Sequence, residues 1–402
     1  MSSESVTAAG AAKPSPRHRK GHKRIAALVT AYHMRSHPDN FVTRFLEGYW
    51  INDQFHEPPC EIAALYVEQQ HPGDISKQLS RRYGFPIVTS IADALTLGTG
   101  ALAVDGILLI AEHGDYAVNV KNQRLYPRYR FLQQIVEVFR RSGRTVPVFV
   151  DKHLSSEWTE CKQMYDWSRE LGFALMAGSS LPVTFRRPEL DFPLDTGMKE
   201  VVAVGGPWVE DGGLFHVIET LQCFAERRRG GESGLRSVEL LAGDPVWEAA
   251  GQGRWNRDLL AAALARSPFT RPGRPEDYAE LPVACLLEYN DGFRGAALAL
   301  DSITTWEYVV AVQLDGQPEP HATRCFIPIE NSNNFSPLVH SIARMFETGR
   351  PSNPVERTLL TSGALAFLME SWHQGQRRIE TPMLDIRYRA PEKAYYARGE
   401  GS

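Results

Sequence analysis

The chain has 402 residues, with 44 Lys and Arg against 48 Asp and Glu, a formal net charge of −4 and 43% hydrophobic residues. This length predicts two domains, because a single domain usually holds roughly 100 to 200 residues. No stretch approaches the roughly 20 apolar residues of a membrane helix, so a transmembrane protein is excluded. The five cysteines form no C-x-x-C pair, which argues against a thiolate zinc site or a disulfide framework and favours a reduced, cytoplasmic protein.

The two ends of the chain differ in composition from the rest. Residues 1–23 are rich in Ser, Ala, Gly and Pro and then in basic residues, with no apolar stretch that would make a signal peptide. We therefore predict a disordered basic tail at 1–23 and a second tail at 388–402. The acidic remainder offers no extended basic surface, so nucleic acid is not expected as a partner.

From residue 24 onward, short apolar runs alternate with amphipathic segments. This rhythm is typical of strand and helix units around a parallel sheet, and it predicts an α/β, Rossmann-like domain over 24–178. The predicted strands are 24–30, 61–67, 87–89, 105–111, 146–150 and 173–177, and the predicted helices are 41–50, 75–83, 91–97, 128–142 and 155–171.

After Gly178 the pattern changes to Pro-rich loops and runs of strand character. The turn at 290–292 joins two of these runs as a hairpin. We expect an α+β domain with an open, mainly antiparallel sheet over 179–387, and we expect that sheet to mediate homo-oligomer formation. The predicted strands are 237–242, 284–289, 295–300, 308–314 and 323–329, and the predicted helices are 214–227, 336–349 and 355–374.

Several segments resemble, in the same order, those of the Gfo/Idh/MocA family, the glucose-fructose oxidoreductase and inositol dehydrogenase group. The run VFVDKH at 148–153 resembles the family's strand that ends in Glu-Lys-Pro, with Lys152 in the place of the family lysine. Further matches are YGFP at 83–86, LGFALMAG at 171–178 and FETGRPSN at 346–353. The resemblance spans roughly residues 24–387.

Members of that family typically bind NAD(P) and oxidise or reduce a sugar-like alcohol or ketone, using the lysine and a D-x-x-x-H-x-x-D pattern. The resemblance implies Lys152 and His216 as the main catalytic residues, with Asp151 and Glu219 beside them. Gly212 stands where the first acid is expected, so the family's set is only partly retained. Two other interpretations stay open, a salt bridge of Lys152 to Asp151 or Glu112 and a structural hydrogen bond of His216 in the core.

The turn after the first strand departs further from a dinucleotide-binding pattern. A dinucleotide fold needs glycines there, because the backbone must approach the pyrophosphate closely. This chain has no glycine between Gly21 and Gly48, and Tyr32 adds bulk where the phosphates normally lie. Ordinary NAD(P) binding is therefore doubtful on sequence, although Glu68 follows the second strand where an acid for the adenine ribose is expected.

Residues that can titrate or bind a metal follow several predicted strands. Imidazole and carboxylate groups are standard ligands of divalent metals, and a site needs three or four of them. A divalent-metal site is therefore one hypothesis, and hydrogen-bonded or surface histidines are the alternative. The candidate ligands are His33, Glu112, His113, His153 and His216.

The stretch 112–129 is a polar, aromatic insertion at the end of the fourth predicted strand. A lid over the cleft explains it, as does a surface loop or an oligomer contact. Glu112, Tyr116 and Arg186 are the predicted substrate-binding residues.

Three functional hypotheses follow from these observations. The leading one is a divergent enzyme of this type that performs acid-base chemistry, with or without the help of a metal, on a small polar carbonyl- or sugar-derived compound without ordinary nicotinamide binding. The second is an NAD(P)-dependent oxidoreductase with an altered cofactor pose. The third is a non-catalytic binding or assembly protein.

Overall fold

The computed structural model describes residues 21–206, 211–300, 307–328 and 330–399. Most of the predicted basic tail, residues 1–20, lies outside these ranges, as do residues 400–402 and residue 329 of the predicted strand 323–329. Lys23 does not belong to a tail, because it starts the first strand and pairs with Cys60.

The first half of the described chain contains eight strands and five helices. The strands are β1 (Lys23–Val29), β2 (Tyr49–Ile51), β3 (Gln54–His56), β4 (Cys60–Val67), β5 (Ile87–Val88), β6 (Gly106–Ile110), β7 (Val148–Asp151) and β8 (Leu175–Gly178). The helices are α1 (Arg44–Glu47), α2 (Ser76–Tyr83), α3 (Ile91–Thr96), α4 (Arg128–Ser142) and α5 (Trp158–Leu171). A short π-helix (Asp39–Thr43) leads into α1.

The second half contributes eight more strands and five more helices. The strands are β9 (Arg186–Arg187), β10 (Met198–Gly205), β11 (Leu235–Ala242), β12 (Val283–Tyr289), β13 (Arg294–Ala299), β14 (Tyr308–Leu314), β15 (His321–Cys325) and β16 (Ile379–Glu380). The helices are α6 (Asp211–Ala225), α7 (Asp244–Gly251), α8 (Arg257–Leu264), α9 (Phe335–Thr348) and α10 (Val355–His373).

The first sheet is parallel and has the strand order β5-β4-β1-β6-β7-β8. This order confirms the predicted Rossmann-like architecture. The prediction of one helix over 41–50 is wrong, since α1 ends at Gly48 and the chain turns into the hairpin β2–β3. Gly48 has φ 81°, and a Cβ there would lie 2.8 Å from the carbonyl oxygen of His56, so the helix cannot continue through it.

The second sheet has the order β16-β11-β12-β13-β10-β14-β15-β9 and is antiparallel except for the pair β10–β13. This confirms the predicted mixed, mainly antiparallel sheet. The central strand β10 was missed, although its run VVAVG at 201–205 is as continuously apolar as the predicted strand β6. The helices α7 and α8 were missed as well.

Helices α7 and α8 cover part of the outer face of the second sheet. Trp255 and Leu259 pack there against Val202, Val204 and Leu298. Arg254, between α7 and α8, pairs with Glu239 of β11, and Arg236 of β11 pairs with Glu288 of β12. The face from which we expect oligomer formation is therefore partly covered by the chain itself, and the oligomer stays a prediction.

Helices α9 and α10 connect the two sheets. The apolar side of α9 packs on the first sheet, where Ile342 and Phe346 join Ile25 and Leu108. Helix α10 contacts both sheets: its Leu359 packs in the core of the first sheet, and its Leu360 packs on the inner face of the second sheet. The boundary near residue 178 stays a prediction, because α9 returns across it.

The described part of the predicted C-terminal tail packs on the domains. Tyr396 and Ala397 are buried, and the amide of Ala397 donates to the carbonyl of Val183 at 2.8 Å. Among the helices within the described ranges, none is both long and apolar enough to cross a membrane.

The contact between α9 and the first sheet depends on Gly106. A Cβ on Gly106 would lie 2.5 Å from the ring of Phe346, so we expect Gly106→Ala to lower the free energy of unfolding by about 1–3 kcal/mol through overpacking. Chemical denaturation measures this. Gly251→Ala is the control, since a Cβ there meets no atom within 4 Å. A Gly106→Ala protein as stable as the control would contradict the proposed contact.

Candidate active site

A cavity of about 200 Å³ lies where loops at the carboxyl ends of β1, β6, β7 and β8 face the second domain. Ligands bind at this edge of open parallel sheets. The second domain contributes α6, the start of β14 and the start of α9. The wall includes Arg35, His37, Asn40, His113, Asp151, Ser180, His216, Tyr308, Asn334 and Phe335.

Within the described ranges, four buried polar atoms of this wall have no hydrogen-bond partner. They are Nε2 of His113, Oδ1 of Asp151, Nδ1 of His216 and Oδ1 of Asn334. Leaving one such atom unpaired costs about 1–3 kcal/mol, so native proteins rarely do so without a reason. Four of them around one cavity indicate a site shaped for a polar ligand.

His37 and Asp151 form a hydrogen-bonded pair at the cavity. Nδ1 of His37 lies 2.6 Å from Oδ2 of Asp151, whose side chain is 1% exposed against 15% for His37. A carboxylate beside Nδ1 favours the tautomer that carries the proton there, which leaves Nε2 as an acceptor. A histidine oriented in this way by an aspartate is the arrangement of a general base.

The other two histidines of the wall are neutral over the ordinary pH range. Burial, assisted by the neighbouring His37, lowers the pKa of His113 to about 3. Burial, followed by the charge of Lys152, holds the pKa of His216 well below its ordinary value. Both rings can therefore donate one hydrogen bond and accept another without carrying charge.

Lys152 lies directly after β7 and is bound to Glu112. Its Nζ donates to Oε1 of Glu112 at 2.7 Å, and Arg128 donates to the other oxygen. Burial alone would raise the pKa of Glu112, but the charges of Lys152 and Arg128 outweigh it and hold that pKa well below its ordinary range. Neither Lys152 nor Glu112 belongs to the described cavity wall, so the salt bridge is the interpretation of Lys152 that the structure supports.

The five predicted metal ligands do not converge. His153 is buried behind the wall, with Nε2 3.1 Å from Arg128 and 3.6 Å from Asp211, while His33 stacks on His71 at 4.1 Å. Within the described ranges, no group of three or more His, Cys, Asp or Glu side chains is arranged to hold a metal. The competing hydrogen bonds and the cations around Glu112 explain why this predicted site does not form.

Glu219 is a buried carboxyl group that supports the cavity wall from behind. It accepts hydrogen bonds from the backbone amide of Ser179 at 3.0 and 3.1 Å and from the Ser179 hydroxyl. Gly178 permits this approach, since a Cβ there would lie 2.3 Å from Oε1 of Glu219. Burial raises the pKa of Glu219 to about 7, although the Ser179 hydrogen bonds lower it. Glu219 therefore positions the turn at 178–181.

The turn after β1 is packed with side chains. Tyr32 is fully buried, with its hydroxyl 2.9 Å from that of Thr43, so it belongs to the core and not to an open cofactor site. Asp39 occupies the start of the following helix, where it accepts from the Arg35 amide at 2.8 Å and the Thr43 hydroxyl at 2.8 Å. A carboxylate thus stands at the helix start that holds a phosphate in dinucleotide folds.

The loop after β4 and the insertion at 112–129 are joined by side-chain hydrogen bonds. Glu68, predicted to bind a ribose, is bonded to the Tyr116 hydroxyl and to Arg130. Gln69 exchanges two hydrogen bonds with the backbone of Asp115 at 2.8 and 3.0 Å. Tyr116 is not among the residues of the cavity wall, contrary to the prediction that it binds substrate there.

Arg186 lies away from the cavity, contrary to the prediction that it binds substrate. Its guanidinium is stacked between Phe224 and Tyr396, at 4.4 and 4.0 Å, and donates to the carbonyl of Leu190 at 2.7 Å. Buried between two rings, Arg186 joins the C-terminal segment to the second domain.

Sequence reasoning brought Asp151, His113 and His216 to one site but missed His37 and Asn334. His37 follows the first strand by eight positions, so only the absence of glycine in that loop could have drawn attention to it. Asn334 reaches the site because Arg44 donates to the carbonyls of Asn331 and Ser332 at 2.9 and 2.8 Å, a contact that no local pattern predicts.

No protein-family model matches this sequence, and no curated protein matches it. Solved structures do match. A myo-inositol 2-dehydrogenase from Lactobacillus plantarum has 12% identity and a TM-score of 0.54, covering 89% of this chain and 99% of that one. A Gfo/Idh/MocA family oxidoreductase from Vibrio cholerae has 15% identity and a TM-score of 0.51, covering 88% and 100%.

A myo-inositol dehydrogenase from Lactobacillus casei, solved in complex with NAD(H) and myo-inositol, is similar as well. It has 11% identity and a TM-score of 0.51, covering 89% of this chain and 96% of that one. The chain therefore has the two-domain fold of Gfo/Idh/MocA oxidoreductases, which confirms the predicted fold class and the resemblance. At these identities the likeness is one of fold.

The raised pKa of Glu219 predicts a pH-dependent stability. Between pH 4.5, its ordinary value, and about 7, the folded chain holds a proton that the unfolded chain releases, so stability falls as pH rises through this window. Glu219→Gln should lose that fall and be more stable than the wild type at pH 8, by up to about 3 kcal/mol. Urea denaturation at pH 5 and pH 8 tests this, with exposed Glu137→Gln as control. If the free energy of unfolding changed equally between pH 5 and pH 8 in the wild type and in Glu219→Gln, the prediction would be refuted.

Proposed function

We propose that this chain is a divergent Gfo/Idh/MocA-type enzyme that transfers protons on a small polar carbonyl- or sugar-derived substrate, without ordinary nicotinamide binding. The single observation that carries the proposal is the His37–Asp151 pair, which opens into a cavity lined by unpaired polar atoms.

His37 is the proposed general base. Asp151 holds the proton on Nδ1 and stabilises the imidazolium that forms when Nε2 takes a proton from the substrate. The carbon beside a carbonyl group is the natural proton donor, because the negative charge formed there moves onto the carbonyl oxygen. Asp151 thus keeps a role from the predicted catalytic set, through His37.

The neutral histidines are the proposed partners of that oxygen. His216 and His113 can donate to it from their unpaired nitrogens, and a donor placed in advance in a dry site stabilises developing charge strongly. Lys152 acts in this proposal as a fixed charge, because its ammonium group is bonded to Glu112 behind the wall.

Hydrogen bonds at three places support the loss of ordinary nicotinamide binding. Tyr32 and Asp39 fill the turn after β1, Glu68 is bonded to Tyr116 and Arg130, and Gln69 is bonded to Asp115. The cavity of about 200 Å³ is smaller than the roughly 300–1,000 Å³ typical of drug-sized ligands. These residues do not fit a dinucleotide in the usual pose.

The alternative is an NAD(P)-dependent oxidoreductase with an altered cofactor pose. What favours it is the set of similar folds, among them the dehydrogenase solved with NAD(H) and myo-inositol. In that case the hydrogen bond between Glu68 and Tyr116 has to break so that the cofactor can enter. A non-catalytic assembly protein remains the third class, and it would show no turnover with any of the compounds below.

Solvent exchange tests the proposed chemistry. We expect the wild type to exchange the hydrogen beside the carbonyl of a ketose or keto acid for deuterium in D₂O, with no nicotinamide added, as followed by proton NMR. His37→Phe should lower the rate by 10²-fold or more, because general-base catalysis contributes about that much. Asp151→Asn should lower it too, since Nδ1 of His37 loses its negatively charged partner.

His71→Phe is the matched control, because His71 is exposed and lies outside the cavity wall. It should exchange at the wild-type rate. Exchange that persists in His37→Phe, or that appears only after NAD(P)H is added, would overturn the proposal and favour the alternative.

Nicotinamide titration separates the two enzyme hypotheses directly. We expect no saturable binding of NADH or NADPH by calorimetry at micromolar concentrations, because Tyr32 and Asp39 fill the turn after β1 and Tyr116 is bonded to Glu68. Tyr116→Phe, which lacks the hydroxyl bonded to Glu68, should bind no better, since Tyr32 and Asp39 still fill the turn. Micromolar binding by the wild type is the contrary result.

A further inference from the structure

Arg35 stands at the mouth of the cavity with an unused guanidinium group. It is one of the wall residues, its side chain is exposed, and within the described ranges that side chain makes neither a hydrogen bond nor an ion pair. A guanidinium has five donors in a planar fork that matches a carboxylate or a phosphate. The cavity mouth therefore offers a bidentate anion contact.

The backbone around Arg35 is built to hold this position. Arg35 has φ 63°, in the left-handed region that a non-glycine residue adopts at a cost of order 1–3 kcal/mol. Asp39 accepts the Arg35 amide at 2.8 Å, and the Ser36 hydroxyl donates to the carbonyl of His33 at 2.6 Å. These contacts keep the loop in a conformation that glycine would adopt more easily.

The charges of the wall favour an anion over a cation. Asp151 is fully buried and directs one oxygen to His37, while burial and neighbouring charges keep His113 and His216 neutral. Arg35 is thus the one charged group of the described wall that faces the opening without a partner.

The acceptor atoms of the wall that have no partner within the described ranges indicate which other groups the ligand carries. Oδ1 of Asp151 and Oδ1 of Asn334 each need a donor, and a hydroxyl group supplies one. A cavity of about 200 Å³ limits the molecule to roughly the size of one sugar unit.

Resting on the proposed function, we propose that the substrate is a hydroxylated carbonyl compound of monosaccharide size that carries an anionic group, a carboxylate or a phosphate ester, and that Arg35 binds that group. The anion lies at the mouth against Arg35, and the carbonyl end lies deeper, beside His37 and His216. The ligand spans both ends of the cavity.

Three six-carbon hydroxyketone probes test this assignment: fructose, 5-ketogluconate and fructose 6-phosphate. Their dissociation constants are measured by calorimetry on the full chain, wild type and Arg35→Gln. We expect at least one anionic probe to bind the wild type more tightly than fructose, and Arg35→Gln to weaken that probe by roughly tenfold to hundredfold, the worth of a charge-assisted hydrogen bond. Fructose should be unaffected.

Arg81→Gln is the control, since Arg81 is also exposed but lies on α2, away from the cavity wall. Tighter binding of 5-ketogluconate assigns a carboxylate, and tighter binding of fructose 6-phosphate assigns a phosphate. The inference is overturned if no anionic probe binds more tightly than fructose, or if Arg35→Gln weakens all three probes equally. Arg35-dependent binding without deuterium exchange would keep the inference and refute the proposed chemistry.

Discussion

The ion pairs of the buried Glu112 carboxylate with Lys152 and Arg128 hold together the carboxyl ends of the strands in the first sheet. It follows β6, while its two cations come from the residue after β7 and from the first residue of α4. Removing one partner of such a buried pair typically costs on the order of 3–5 kcal/mol, because the other charge is left uncompensated. The pair fixes the ends of two neighbouring strands, and His113 and Asp151, which adjoin it in sequence, thereby face the same cavity.

Because of this salt bridge, we assign Lys152 a structural role and not the catalytic role predicted from the sequence. A lysine that is salt-bridged from behind the wall supplies positive charge to the strand ends without reaching the ligand. The base then has to come from another element, and His37 lies opposite Asp151 at 2.6 Å. The loop that lacks the phosphate-binding glycines therefore supplies both the proposed base and the proposed anion contact.

Much of the fold could be predicted from sequence, because buried parallel strands and amphipathic helices leave strong local patterns. The strands β1, β4 and β6 and the helix α4 lie within one or two residues of their predicted bounds. The hairpin β2–β3 depends on a close approach at Gly48 that periodicity does not show. Strand β10 carries a continuous apolar run like that of β6, so its pattern was present in the sequence although it was missed.

The site was less predictable, because its geometry depends on contacts between distant parts of the chain. His37 and Asp151 are separated by 114 positions, and Arg44 reaches the loop before Asn334 across 287 positions. Residue type alone put Arg186 in the site and left Asn334 out. The sequence does not distinguish an arginine that stacks between aromatic rings from one that binds a ligand, and only the packing in the folded chain does so.

The packing of the turn after β1 is also the reason for which we propose proton transfer and not hydride transfer for this chain. A hydride donor requires a nicotinamide ring inside the cavity and room for the remaining dinucleotide, whereas Tyr32 and Asp39 fill the turn after β1 and Tyr116 is bonded to Glu68. A general base requires only one oriented imidazole and room for a small carbonyl compound. The His37–Asp151 pair already supplies the oriented imidazole, whereas a dinucleotide in the usual pose would require Tyr32 and Asp39 to move.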